Sequence, residues 1–506
     1  MPKRRLKTNF AVNLLYPSVR IAVAFVTIPI YLRHVGEARY GVITIVWILL
    51  GLFGFLDLGL SRAVTNALAK LRDAPQTERA RALLTTFGLN LGIGVIGGVV
   101  LYVFGGFLLK HFISVPEALG PEVAGSLPWI ACLLPLTLVS AAGAGALESR
   151  ELFLLVNLIQ TVAIALAQVA PVVMAVFVSP SLTVIIPTAV AAQAMGSIAV
   201  LFVVHRLEGP FSLRAIDWGE ARKLLGYGSW MFATNVINPA LGSADQFIIG
   251  SIMGVTAVAH YAVPMNLVLR SGAIPWAFGR TFFPRMSSLS GDAAYGLGAR
   301  ALSTMAYGFA AICAPAIILS PAFFRYWVGA DFALISAPVA QILFPGMWMS
   351  GLSFVGFTLL QSQGRADLTG KLSMLEFLPF LAVIWVLTSN FGIVGAAAAW
   401  TLRCTVDALA IFWASGIRRK DLLPLLPPGA LLVATLAIAR FLGSNNVLLD
   451  LLVAALAASA SVGLSYLLSE EWRKLLLGLV ERARGFGGSP ATRAKPPPPI
   501  NTNAQK

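Results

Sequence analysis

Between residues 10 and 468 the chain returns repeatedly to apolar runs of about twenty residues, separated by short polar stretches. A helix of that length, rising 1.5 Å per residue, crosses the roughly 30 Å of hydrocarbon in a bilayer. No water is present there to satisfy peptide N–H and C=O groups, so each run must close its own hydrogen bonds as a helix. The balance of residue types agrees: 58% are hydrophobic and 12% charged, against about 25% charged in a soluble domain. The chain reads as an all-α integral membrane protein.

At about twenty residues per span the runs give about fourteen transmembrane helices. Six fall at 10–32, 41–60, 83–109, 127–147, 152–178 and 182–204, and six more at 227–253, 257–283, 301–320, 333–360, 368–388 and 392–414. Two others follow at 426–442 and 447–468. Pro17, Pro29, Pro239, Pro264 and Pro275 break the segments that hold them. Residues 13–59 and 227–290 open alike: an apolar segment bearing an arginine, an internal proline, then a glycine-marked start of a second segment. Gly36, Tyr40 and Gly41 have Gly254, Tyr261 and Ala262 as counterparts, which predicts two related halves, as is common in transporters. The expected organisation is therefore an N-terminal lobe (1–204), a cytoplasmic connector (205–226), a C-terminal lobe (227–416), two last transmembrane helices (417–468) and a cytoplasmic tail (469–506). Within the tail, 470–484 carries apolar residues at helical spacing and suits an in-plane helix, and the Pro-rich end from 485 suits a disordered segment.

The net charge of +15 follows topology rather than nucleic acid. With the N-terminus inside, most of the 37 Lys and Arg fall in cytoplasmic loops, whereas Arg33, Arg39, Lys110, Arg325 and Arg440 fall outside. That bias puts both termini in the cytoplasm. The 10–32 run exceeds the 7–15 residues of a cleavable signal core and lacks a small-residue cleavage site, so it is expected to stay as the first span. Cys132, Cys313 and Cys404 lie in apolar runs and the four histidines are scattered, without metal-ligand spacing. No phosphate loop, nucleophile elbow or zinc-protease motif is present, so neither catalysis nor a cofactor is expected.

Charges inside the spans point to function, because an ionised group in hydrocarbon costs at least about 2.5–3.5 kcal/mol and normally meets a wet cavity or a partner. Arg20, Arg270 and Arg403 fall near mid-depth and predict a cationic central cavity; Arg280, at the cytoplasmic mouth, suits a cavity residue or a surface anchor. Guanidinium groups stay charged and bind phosphate bidentately, so the matching ligand is a phosphate or diphosphate. Arg403 and Asp407, four apart, also suit a mutually neutralising pair. Asp245, Glu376 and Asp407 are candidates for ion coupling, with pairing to an arginine as the other reading. Asn235 and Asn266 suit contacts to sugar hydroxyls or hydrogen bonds between helices. Asp57 and Arg62, flanking Gly59, read as a turn with a topology charge.

Four stretches resemble a known family. These are VGEARYGVITIVWILLGLFGFLDLGLSRAVTNALAK from residue 35, GSADQFIIGSIMGVTAVAHYAVPMNLVL from 242, TFFPRMSSLS from 281, and QSQGRADLTGKLSMLEFLPFLAVIWVLTSNFGIVGAAAAW from 361. They are similar to the bacterial polysaccharide transporters, the oligosaccharide-lipid flippases of the multidrug/oligosaccharidyl-lipid/polysaccharide exporter superfamily. The resemblance implies two six-helix lobes around a central cavity, two further helices, and alternating access in the cytoplasmic membrane. It also implies a polyprenyl-diphosphate-linked oligosaccharide as substrate, for O-antigen, lipopolysaccharide or exopolysaccharide assembly, with membrane lipid and assembly proteins as partners. An ion-coupled drug exporter of the same superfamily is the alternative; a membrane polymerase or ligase would need a large outer loop, which the sequence lacks.

Overall fold

The computed structural model describes residues 3–72, 74–209, 241–442, 446–474 and 477. Among these residues the regular structure is helical throughout, without strands. The first half contains α1 (Lys3–His34), α2 (Glu37–Phe53), α3 (Leu60–Lys70), α4 (Gln76–His111), α5 (Gly120–Ser149), α6 (Phe153–Phe177) and α7 (Leu182–Glu208). The second contains α8 (241–253), α9 (Val255–Ser271), α10 (Ala273–Ser287), α11 (Gly291–Trp327), α12 (Ala330–Ser362) and α13 (Ala366–Ala414). A short α14 (Arg419–Leu422) leads to α15 (Leu426–Leu442) and α16 (Val447–Leu468). Ten helices among the described residues are long and apolar enough to cross a bilayer. The chain is a multi-pass membrane protein.

Most prolines do not break the helices that hold them. α1 runs unbroken past Pro17 and Pro29, and α9 past Pro264. Neighbouring helices in a bundle can satisfy the carbonyl that a proline leaves without a donor. The expected 257–283 span instead breaks at Gly272, whose N–H turns back to Leu269 O. Pro275 then falls in the first turn of α10, where a missing N–H costs nothing. A second departure is α13, 49 residues as one helix but with Gly392 at φ 63°, ψ −147°. Glu376 and Arg403 would lie about 40 Å apart on a straight helix of 1.5 Å rise, yet their side chains meet at 3.2 Å. The chain therefore doubles back at Gly392, and α13 is two antiparallel legs, a break that the apolar runs 368–388 and 392–414 anticipate.

In the first half α5 packs on α3, α4 and α7, while α6 joins α7 and α1. In the second, α12 lies between α11 and α13, and α15 and α16 pack along α11. The halves meet chiefly where α2 lies on α9. Both helices start on a glycine in nearly the same left-handed conformation, Gly36 at φ 86°, ψ 159° and Gly254 at φ 84°, ψ 173°. The glycine correspondence holds, but that of the tyrosines does not. Tyr40 is four residues past its glycine and Tyr261 seven; Tyr261 is fully buried, whereas Tyr40 is only partly so. Of the tail, Trp472 docks on α11, its indole N–H donating to Thr304 O at 2.9 Å; the end from 478 lies outside the described residues.

One expected loop charge is a core element. Arg79, on α4, is buried and bonds both oxygens of Glu208 on α7, at 2.9 and 3.1 Å, as well as the carbonyls of Leu68 and Leu71. Arg150 adds a third cation–carboxylate contact at 2.8 Å. This triad ties α4 and the end of α3 to the ends of α5 and α7. Removing one member of such a group strands the others without compensation. We expect Glu208→Ala to lower stability by about 3–5 kcal/mol, read as a fall in the melting temperature of detergent-purified protein, with an Arg79→Met/Glu208→Leu pair recovering part of the loss.

Candidate functional site

A chamber of about 850 Å³ lies where the halves face each other, lined by α1, α2, α3, α5, α6 and α7 from the first and α8 and α9 from the second. Its walls carry Arg270, Asn266, Gln246, Gln193, Gln168, Asp57 and Arg62 among aromatic and aliphatic side chains, including Tyr31, Tyr40 and Trp47. Arg270 is in the last turn of α9, immediately before the Gly272 break, and Asn266 is one turn earlier on the same face. The Asn266 amide donates to Ala262 O at 2.9 Å. Across the chamber, α2 ends in a 3₁₀ turn (Gly54–Asp57), followed by Leu58 and Gly59 in the left-handed region at φ 49° and 73°. That reversal starts α3 and presents Arg62 to the chamber floor. Asp57 caps the turn, accepting from Ser61 N–H at 3.3 Å, the Ser61 hydroxyl and Asn90.

Electrostatically the chamber is cationic. Among the described residues neither Arg270 nor Arg62 has a carboxylate within ion-pair distance. Asp57 is the one carboxylate among the described lining residues, so the two guanidinium groups leave a net positive charge that can hold an anion by charge-assisted hydrogen bonds. Amide and phenol groups nearby offer donors and acceptors suited to hydroxyl-rich ligands.

The other arginines separate by environment. Arg20 points into a recess of about 200 Å³ enclosed by α1, α5, α6 and α7; Thr137, Ala141, Ile164 and Gln193 line both this recess and the chamber. Its Nε is buried without a hydrogen-bond partner. Arg403 does not line the chamber: it donates to Glu376 at 3.2 Å and lies 5.1 Å from the centre of the Phe380 ring. The two legs of α13 bring that carboxylate alongside, so the i,i+4 partner Asp407 is left to accept from the Ser353 hydroxyl at 2.7 Å. Arg280 is exposed on α10, stacked 4.9 Å from the Trp276 ring, the arrangement of a surface anchor. Asp245 is 1% exposed and accepts from Tyr261 OH and Gln246 N–H, both at 2.8 Å, so it pairs with neither arginine of the chamber. Asn235 lies outside the described residues.

Reading the sequence by depth missed Asp57, Arg62 and Gln246 as chamber residues. The LDLGLSR stretch carried the signal, since a glycine directly before a new helix marks a reversal that can turn the next charge inward.

Contacts between the halves cluster at the Gly36/Gly254 end, which the charge bias assigns to the outside. His260 bridges Glu37 and Ser336 at 3.0 Å each. Ser114 exchanges backbone hydrogen bonds with Gly250 and Val255 at 3.0 and 3.3 Å. The Trp327 indole donates to Phe25 O at 2.8 Å and stacks on the Phe25 ring. Gly41 lies so closely against the Val255 carbonyl that a Cβ there would overlap its oxygen. The chamber is thus sealed at this end, with Arg62 and Asp57 towards the other.

Comparison with known proteins decides the family. Residues 6–290 match the family described as polysaccharide biosynthesis protein, more than half of the chain. The chain belongs to that family. A proposed O-antigen transporter of Shigella flexneri is 26% identical over 412 residues, 80% of this chain and 96% of that protein. The fold is similar to lipid II flippase MurJ in an inward closed conformation, with a TM-score of 0.73 at 13% identity over 92% of this chain and all of that one. It is also similar to an inward-facing multidrug-resistance MATE transporter of the MOP superfamily, with a TM-score of 0.62 at 14% identity over 80% of this chain and 98% of that one. These relatives are transporters, not enzymes, and this polysaccharide-family chain shares their fold.

Because Gly41 meets backbone rather than a yielding side chain, Gly41→Ala should force α2 from α9 and loosen the seal. A cysteine at Thr44, on the chamber wall, should react several-fold faster with a membrane-impermeant maleimide applied from the Gly36/Gly254 side in that background. Equal labelling rates with and without the Gly41→Ala substitution would contradict the seal.

Proposed function

We propose that this protein carries a polyprenyl-diphosphate-linked oligosaccharide from the cytoplasmic to the outer leaflet of a bacterial cytoplasmic membrane, by alternating access, for assembly of a surface polysaccharide. The observation that carries this reading is that Arg270 and Arg62, which form no ion pair among the described residues, outnumber the single carboxylate, Asp57, on the wall of an 850 Å³ chamber between the two halves. A diphosphate is a ligand whose charge suits such a site, since guanidinium groups bind phosphate oxygens bidentately. The volume lies near the upper end of about 300–1,000 Å³ for small-ligand pockets, enough for a headgroup with its first sugars, while the polyprenyl chain stays in the bilayer. Gln168, Gln193, Gln246 and Asn266 supply sugar hydroxyl partners.

The organisation supporting this cycle is two lobes, 1–204 and 227–416, rocking about the α2–α9 contact, with 205–226 as a cytoplasmic connector and 417–468 as two appended helices. The positive-inside bias supports cytoplasmic termini. In the state described, the sealed end faces out and Arg62 lies on the loading side. Arg20, in the side recess, adds positive potential behind the chamber wall. The likeness to drug exporters shows the fold alone, and two unpaired arginines would repel a cationic drug.

Each charge-assisted hydrogen bond to phosphate contributes about 1.5–3 kcal/mol, so Arg270→Ala or Arg62→Ala should cut transport about tenfold or more. The test is complementation of a strain lacking this protein, scoring surface polysaccharide at matched membrane levels, with Arg280→Ala retaining export. Wild-type polysaccharide in both chamber variants would overturn the proposal.

A further inference from the structure

We propose that a second, smaller pocket, between the last two helices and the second half, holds the headgroup of a zwitterionic phospholipid with a primary ammonium, the phosphatidylethanolamine class. The pocket has about 290 Å³ and is walled by the end of α11, the start of α12, the end of α15 and the start of α16. It shares no lining residue with the central chamber, and the inference does not depend on what that chamber carries.

Three ionisable groups converge on this pocket from three helix ends. Arg325 ends α11, Arg440 ends α15 and Asp450 sits in the first turn of α16, with Gln341 deeper on α12. Asp450 is only 6% exposed, yet among the described residues its carboxylate has neither a hydrogen-bond donor nor a cation within ion-pair distance. Arg440, its neighbour on the pocket wall, forms no ion pair there either. The carboxylate oxygens stay accessible on the pocket wall, and a carboxylate to which a ligand donates is a recognition element. A cation and an anion that form no ion pair match a headgroup carrying a phosphate and an ammonium: Arg440 takes phosphate oxygens and Asp450 the ammonium protons.

Location and size select a lipid. The charged groups lie at helix ends, where headgroups sit, at the same end as Gly36 and Gly254. Leu334 on the pocket wall is 78% exposed, and Phe441 and Leu448, next in sequence to the lining residues Arg440 and Val447, are 89% and 76% exposed, an apolar surround suited to acyl chains. The volume is at the lower bound of about 300 Å³ for ligand pockets, too small for a repeat unit of several sugars. Arg440, one of the five cations placed outside by sequence, thereby gains a role beyond topology.

The test uses delipidated full-length protein in detergent, titrated with short-chain phosphatidylethanolamine, phosphatidylglycerol of the same chain length, or inorganic phosphate, with binding read by native mass spectrometry and by melting temperature. The wild type should bind phosphatidylethanolamine about tenfold more tightly than phosphatidylglycerol, the worth of one charge-assisted contact. Asp450→Asn should erase that preference, and Arg440→Gln, at an exposed position, should weaken both lipids. Equal affinity of the wild type for the two lipids, or a preference surviving in Asp450→Asn, would overturn the assignment. So would unchanged lipid binding in Arg440→Gln, which does not depend on the buried variant folding. Displacement of the lipid by millimolar inorganic phosphate would mean a free-anion site instead, and would equally overturn it.

Discussion

A guanidinium group inside a bilayer must meet either a counter-charge or water, because the hydrocarbon offers it nothing else. That requirement organises the interior of this protein. Arg79 and Arg403 meet carboxylates and become part of the frame, one joining four helices of the first half, the other linking the two legs of α13. Arg270 and Arg62 form no ion pair among the described residues, and line a chamber whose other walls mix amide and phenol groups with apolar side chains. The same residue type thus builds the scaffold in two places and the site in another, separated by whether a carboxylate lies within reach.

The chamber depends on how closely the two halves approach at one end. α2 and α9 can touch backbone to backbone because Gly41 has no side chain where the Val255 carbonyl arrives. Gly36 and Gly254 adopt the left-handed conformations that start both helices at the same level. Tight packing there, reinforced by His260 between Glu37 and Ser336, leaves the space below unfilled. Packing in a membrane protein gains nothing from expelling water between apolar faces, so small residues and interhelical hydrogen bonds supply the contact instead.

Much of the frame was legible beforehand. Among the described residues, apolar runs of span length fall on helices, and the reversal at Gly392 lies between two of them. The placement of breaks was less legible, since proline reads as a breaker in isolation but α1 and α9 absorb theirs, and Gly272 breaks the helix instead. In the site, depth counting put Arg270 and Arg403 at one level, with Asp407 as the other reading for Arg403, and left Arg62 as a topology charge. Distance along a helix measures height in the membrane and says nothing of azimuth, so it could not tell which arginine faced the other half and which faced Glu376.

The sequence by itself determined that this chain lives in lipid as a bundle of helices, that it opens each half on a glycine-marked helix pair, and that a few arginines must sit at depth. Those properties are local: they follow from run length, residue type and backbone freedom at single positions. Only the tertiary structure decided which arginines are neutralised and which line a chamber. Each answer depends on a partner brought from far along the chain, Glu376 to Arg403 across a reversal and Glu208 to Arg79 across four helices. Such encounters are set by packing geometry, which no single stretch of the chain encodes.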